Sequence, residues 1–106
     1  MNRGKVYVKG ISAGIIERDN GKFHFIYDNE YLSDPTLPPV SLTLPKSQKE
    51  FYSDILFPFF FGLLAEGELK EIQCQILKID ESDHFTRLLK TVGADVIGSV
   101  TVEEIQ

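Results

Sequence analysis

Phe57-Pro58-Phe59-Phe60-Phe61-Gly62-Leu63-Leu64-Ala65-Glu66-Gly67 is more apolar than one buried helix face requires. A surface helix carries one apolar stripe about 100° wide and sets polar residues opposite it. On a helical wheel that starts from a Ser53 or Asp54 N-cap, Ile55, Leu56, Phe59, Phe60, Leu63 and Leu64 share one half-circle. Phe57 and Phe61 fall in the other half, with Pro58, Gly62 and Ala65. That second half needs a cover, which either another element of the domain or a partner protein can supply. Pro58 belongs in the first turn, where its missing donor does least harm, and Gly67 marks the break.

On the N-terminal side, Lys5-Val6-Tyr7-Val8-Lys9 alternates polar and apolar residues and predicts a half-buried strand ending at Gly10. A second strand follows from Ser12 to Glu17. Asp19-Asn20-Gly21 is a hairpin signal, because Asn and Gly tolerate the positive φ of tight β-turns. Lys22 to Tyr27 returns as a third strand, with Phe23, Phe25 and Tyr27 on one face and His24 and Ile26 on the other. Three prolines make Asp28 to Pro39 an irregular connection with one short turn around Asn29 to Leu32. Ser41-Leu42-Thr43-Leu44 alternates again and predicts another strand, ended by Pro45.

On the C-terminal side, Glu68 to Lys78 predicts an amphipathic helix with Leu69, Ile72 and Ile76 on its apolar face and Ile79 alongside. Ser82 or Asp83 caps the next helix, whose single core stripe is Phe85, Leu88, Leu89 and Val92; Gly93 ends it in left-handed geometry. Ile97 to Val102 is the last strand. Strands first, helices next and a strand at the end predict an α+β fold: an antiparallel sheet or small barrel of about five strands packed with three helices.

The 106 residues, 42% of them hydrophobic, fit one domain over 1–106. The lone Cys74 can form no intramolecular disulfide, and Met1 to Lys5 leads straight into strand-like sequence without a signal-peptide core. No apolar run reaches the roughly 18 residues of a membrane span. A cytoplasmic protein with no membrane partner is expected. Eleven basic against sixteen acidic residues give a net charge of -5, which argues against direct nucleic-acid binding and favours encounter with basic surfaces.

No constellation of reactive groups emerges. His24 and His84 lack a Cys or second His at metal-ligand spacing, and Cys74 has no evident basic neighbour. Gly10, Gly14 and Gly21 form no phosphate-binding loop. Glu66, Glu68 and Glu71 are accounted for by a helix N-terminus, which favours negative charge. The expectation is a non-enzyme without catalytic residues, cofactor or metal. What remains is surface: outward rings at Phe57 and Phe61 would form an aromatic anchor of the kind that dominates interfaces, unless the sheet and the other helices cover them.

Five markers in order resemble the N-terminal domain of the HipA-type kinases, the toxins of bacterial toxin–antitoxin modules. They are Val6-Tyr7-Val8-Lys9-Gly10 with Ala13-Gly14, and Phe25-Ile26-Tyr27-Asp28 with Tyr31-Leu32. Pro38 to Pro45, Phe59 to Gly67 and Val92 to Val100 complete the set. Phe61 stands where the family usually has an acid, and Ala65 where it often has proline. Glu68 replaces an aromatic that some relatives carry after the Glu-Gly pair.

Full-length kinases of this family continue well past this domain, and the family includes split systems in which a separate small protein supplies it in trans. The resemblance implies such a stand-alone, HipS-like antitoxin. It would bind a HipA-like serine/threonine kinase toxin, with a helix-turn-helix DNA-binding antitoxin as a candidate third member of the complex. The expected contact is Phe57, Phe61 and the tip Ala65, Glu66, Gly67 and Glu68. The alternative role is a module that completes or stabilises the kinase, or its DNA-binding antitoxin complex, without inhibiting it.

Overall fold

Alternation in the first third produces a meander of three antiparallel strands: β1 (Asn2–Val8), β2 (Ile11–Asp19) and β3 (Lys22–Tyr27). The computed structural model describes residues 2–93 and 99–105. Asn20 and Gly21 make the β2–β3 turn at φ 54° and 76°, the left-handed pair whose twist matches that of the flanking strands. β4 (Glu50–Ser53) joins β3 and β5 (Val100–Ile105) joins β1, giving the order β4-β3-β2-β1-β5. Among the described residues four helices accompany this sheet: α1 (Asn29–Ser33), α2 (Pro58–Phe61), α3 (Gly67–Leu77) and α4 (His84–Thr91). The α+β class is as expected, with an open five-stranded sheet in place of a barrel and with α1 as the added helix.

Period two decides which side chains meet the core. Val6, Val8, Ile16, Phe25 and Tyr27 are buried on the inner face, while Lys5, Tyr7, Ile15, Glu17 and His24 on the other face stay partly exposed. α4 closes over the inner face with Phe85, Leu88 and Leu89, all buried, and Val92 follows at its C-cap. Asp83 is its N-cap, accepting from the Thr86 N–H at 3.1 Å. At Gly14 a Cβ would lie 2.3 Å from the Ile26 carbonyl oxygen, so β2 and β3 approach there only because the side chain is missing.

The proline-rich connection is bound to the sheet by one hydroxyl. Tyr27 Oη donates to the Leu44 carbonyl and accepts from the Val40 N–H at 2.9 Å. Tyr31 stacks beside it and donates to the Pro38 carbonyl at 2.6 Å, and Lys46 Nζ donates to the carbonyls of Asp34 and Leu37. A long irregular segment thereby satisfies backbone groups that helix or sheet would otherwise pair.

Several local expectations are corrected. Ser41 to Leu44 is a tight turn: Leu44 N–H donates to the Ser41 carbonyl at 3.0 Å and Thr43 N–H to Ser41 Oγ at 3.2 Å. The fourth strand is Glu50–Ser53 instead, so Ser53 and Asp54 do not cap a helix; Asp54 pairs with Lys22 Nζ at 2.5 Å. Phe57 takes the N-cap position of α2, with Pro58 at its start and Gly62 at its end. Gly93 does not adopt a positive φ; the left-handed helix end is Lys78 of α3, at φ 58°. Ile97 and Gly98 of the expected last strand lie outside the described residues.

Candidate functional site

The apolar stretch makes one helical turn and not three. Pro58 starts it, Gly62 N–H returns to the Pro58 carbonyl at 2.9 Å, and the chain then turns through Leu63 and Leu64. The two-sided wheel therefore does not apply. Leu56, Phe57, Phe60 and Leu64 point into the core, and Phe59 and Leu63 pack against it. Phe57 is 8% exposed and edge-on to Phe60, so the expectation of two outward rings is corrected to one. Phe61 is that ring, 45% exposed.

Phe61 stands edge-on to the His84 imidazole, with ring centroids 4.9 Å apart at 87°. Arg87, one turn further along α4, is 3% exposed and is the buried charged residue among the described residues. Its Nη2 donates to the Ala65 carbonyl at 2.7 Å and its Nη1 meets His84 Nδ1 at 3.1 Å. A guanidinium only donates, so His84 accepts at Nδ1 and carries its proton on Nε2. α4 thus fixes the exit of the apolar segment through one ion and orients the imidazole beneath the exposed ring.

These groups surround a recess of about 170 Å³ lined by Phe61, Ala65, Glu66, Gly67, Lys70 and His84, with Leu64 and Arg87 beneath. Four of the six expected contact residues, Phe61, Ala65, Glu66 and Gly67, come together there. Phe57 lies in the core, and Glu68 is exposed in the first turn of α3 outside the recess. Gly67 opens α3 at φ +63°, a conformation that a side chain would strain. Beyond His84 lies a second recess, also lined by Arg18, Phe23, Ile55 and Asp83.

In the sequence His84 shows only the lack of a metal-ligand spacing, and neither Arg87 nor Lys70 stands out. The i, i+3 spacing of His84 and Arg87 was the available signal, since it puts both on one side of α4. The larger miss is α3. Its expected core stripe faces solvent: Leu69, Ile72 and Ile76 are 55%, 44% and 72% exposed, and Cys74 is the buried residue of the helix.

Among the described residues no group of three or more His, Cys, Asp or Glu is placed to hold a metal ion. No helix among them is long and apolar enough to cross a membrane. The site offers an aromatic ring, a fixed loop and mixed charge around a shallow recess, which suits contact with another protein surface.

Comparisons with known proteins agree on one family. The profile of the HipA N-terminal domain matches residues 4–103. An uncharacterized protein of Haemophilus influenzae is 40% identical over 104 residues, covering 98% of this chain and 93% of that protein. The candidate kinase Y4mE of Sinorhizobium fredii is 33% identical over 96 residues, covering 90% of this chain but 23% of that protein. Among solved structures, an N-terminal domain of HipA toxin superposes with a TM-score of 0.75 at 35% identity. The match covers 100% of this chain and 94% of the other.

Proposed function

The chain belongs to the HipA N-terminal domain family, and from that premise we propose that it is a non-catalytic protein-binding domain of a toxin–antitoxin module. It docks on a HipA-like serine/threonine kinase and restrains it. The observation that carries this reading is Phe61, a large aromatic side chain held 45% exposed at the rim of a recess in a chain of this family. An exposed Phe forgoes part of the roughly 1.5–3 kcal/mol that burial of its ring would contribute, and an interface recovers it. Phe57 supports the contact from below by packing on Phe60, and Ala65, Glu66, Gly67 and Glu68 form the adjoining tip. The inhibition is steric: the domain sits beside the catalytic cleft and blocks substrate entry or closure. The setting is the bacterial cytoplasm, with a helix-turn-helix DNA-binding antitoxin as third member.

The test is co-purification and a phosphorylation assay with a HipA-like kinase that lacks this domain, sought in the adjoining reading frame. Binding with loss of kinase activity is expected at saturating domain. Absence of such a reading frame, or unchanged activity, removes the inhibitory role. Phe61→Asp is expected to weaken binding at least tenfold while leaving the melting temperature nearly unchanged. A carboxylate is tolerated on an exposed turn but costly in a desolvated contact. Equal loss of binding and folding would instead make Phe61 a core residue.

A second reading has its own support. In the Sinorhizobium relative the matching segment occupies 23% of one continuous chain, as a built-in part of a larger protein. A domain of that kind completes a fold, and here it would stabilise the kinase without inhibiting it. A kinase that melts higher and works as fast or faster with the domain bound selects this alternative.

A further inference from the structure

At the β2–β3 turn an amide side chain stands next to a backbone nitrogen that nothing shields. Asp19 and Lys22 pair across the hairpin, which leaves Asn20 and Gly21 as a two-residue loop, both exposed and at φ 54° and 76°. Gly21 brings no side chain to the turn, and an added Cβ would meet nothing within 4 Å. The Asn20 carboxamide has no hydrogen-bond partner among the described residues, whereas Asn29 accepts from Lys49 Nζ at 2.6 Å.

We propose that Asn20 is a site of spontaneous covalent modification, at which the side-chain amide is exchanged for an acid through a cyclic imide, with water as co-reactant. As the exposed turn opens, the Gly21 backbone nitrogen attacks Asn20 Cγ. The Cγ–Nδ2 bond breaks, and ammonia leaves with the proton that the glycine nitrogen gives up. Gly21 favours this step because a Cβ there would crowd the attacking nitrogen. Water then opens the imide at either carbonyl. Attack at Cγ restores the main chain and leaves Asp; attack at the main-chain carbonyl leaves isoaspartate, whose backbone runs through Cβ and Cγ and is longer by a methylene.

The two products differ in consequence. Asp suits the same left-handed turn as Asn. Isoaspartate does not, because the length of a tight loop sets the register of its strands and a longer path releases it. The pairs at stake are Asp19 with Lys22 and Arg18 with Phe23. Arg18 also donates to Asp83, the N-cap of α4, at 2.9 Å. Ageing at an exposed amide thus reaches the seat of α4 on the sheet.

The experiment ages the full chain at mildly alkaline pH, beside Asn20→Asp. Trypsin cuts after Arg18 and Lys22 and releases Asp19 to Lys22, in which mass spectrometry follows the exchange of amide for acid. Asn2 and Asn29, followed by Arg3 and Glu30, are the internal controls, and Asn20 should convert about tenfold faster than either or more. A protease that cuts before Asp should leave part of the product intact at position 20, which marks isoaspartate. The aged fraction, isolated by anion exchange on its added negative charge, should melt several degrees below wild type, whereas Asn20→Asp melts as wild type does. Conversion of Asn20 no faster than that of Asn29 overturns the site. An aged fraction that carries isoaspartate and melts like Asn20→Asp overturns its effect on the sheet.

Discussion

Arg87 Nη2 donates to the Ala65 carbonyl across 2.7 Å, so a core helix holds the exit of the apolar segment by a single buried cation. Arg87→Met keeps most of the volume and removes the donor. The half-buried Ala65 carbonyl then loses its partner, and loss of a hydrogen bond from a charged donor costs about 1.5–3 kcal/mol. Urea unfolding should report a loss of that size. The Phe61 recess should also loosen, seen as faster amide exchange around residues 65–68.

Tyr27→Phe should destabilise the domain by about 1–3 kcal/mol, although it deletes one oxygen. That oxygen serves the Leu44 carbonyl and the Val40 N–H together, and both lie in the buried part of the connection. Burial outweighs the Val40 hydrogen bond and raises the phenol's pKa above its ordinary value. Thermal melts should show a drop of about 4–8 °C for each kcal/mol lost. A melting temperature equal to wild type would mean that the hydroxyl does not hold the connection to the sheet.

Asp83 should give the stability an acid limb. Burial pushes its carboxyl pKa up, but hydrogen bonds from the Thr86 hydroxyl and N–H and from Arg18 outweigh this and leave it lowered. A lowered carboxylate stabilises the fold above its unfolded value of about 3.9 and loses that contribution as pH falls through the folded value. Asp83→Ala should therefore cost about 1–2 kcal/mol at neutral pH, and the gap from wild type should narrow as the pH falls through the lowered folded value. A gap independent of pH would show that packing, and not the charged cap, is responsible.

Gly14→Ala should be the most damaging single methyl in the sheet. The new Cβ would meet the Ile26 carbonyl oxygen at 2.3 Å, and that oxygen belongs to the backbone of a paired strand. Strand separation or bending is needed, at a cost of about 1–3 kcal/mol or more. Gly10→Ala is the matched control, because it has a positive φ but nothing within 4 Å of its Cβ. If Gly14→Ala melted no lower than Gly10→Ala, the close approach of β2 and β3 would not set the cost.

Elements whose signal is local were legible in the sequence. The meander followed from alternation and the Asn20–Gly21 turn, and α4 from one stripe with Asp83 before it. The failures have physical causes. Ser41 to Leu44 alternates like a strand, but the Ser41 hydroxyl and carbonyl capture the next donors and close a turn. Pro58 and Gly62 confine α2 to one turn, so a wheel drawn over the whole apolar run put Phe57 on the wrong side. In α3 the period of Leu69, Ile72 and Ile76 revealed a face but could not say whether the domain or something else covers it. The Arg87–Ala65 bond joins positions 22 residues apart and left no local trace.

With Cys74 as its one interior side chain, α3 imposes little on how the polypeptide reaches its native shape. Its outward half is held apart from the residues that form the core. The outward side chains of this helix can thus be exchanged with little consequence for the packed interior.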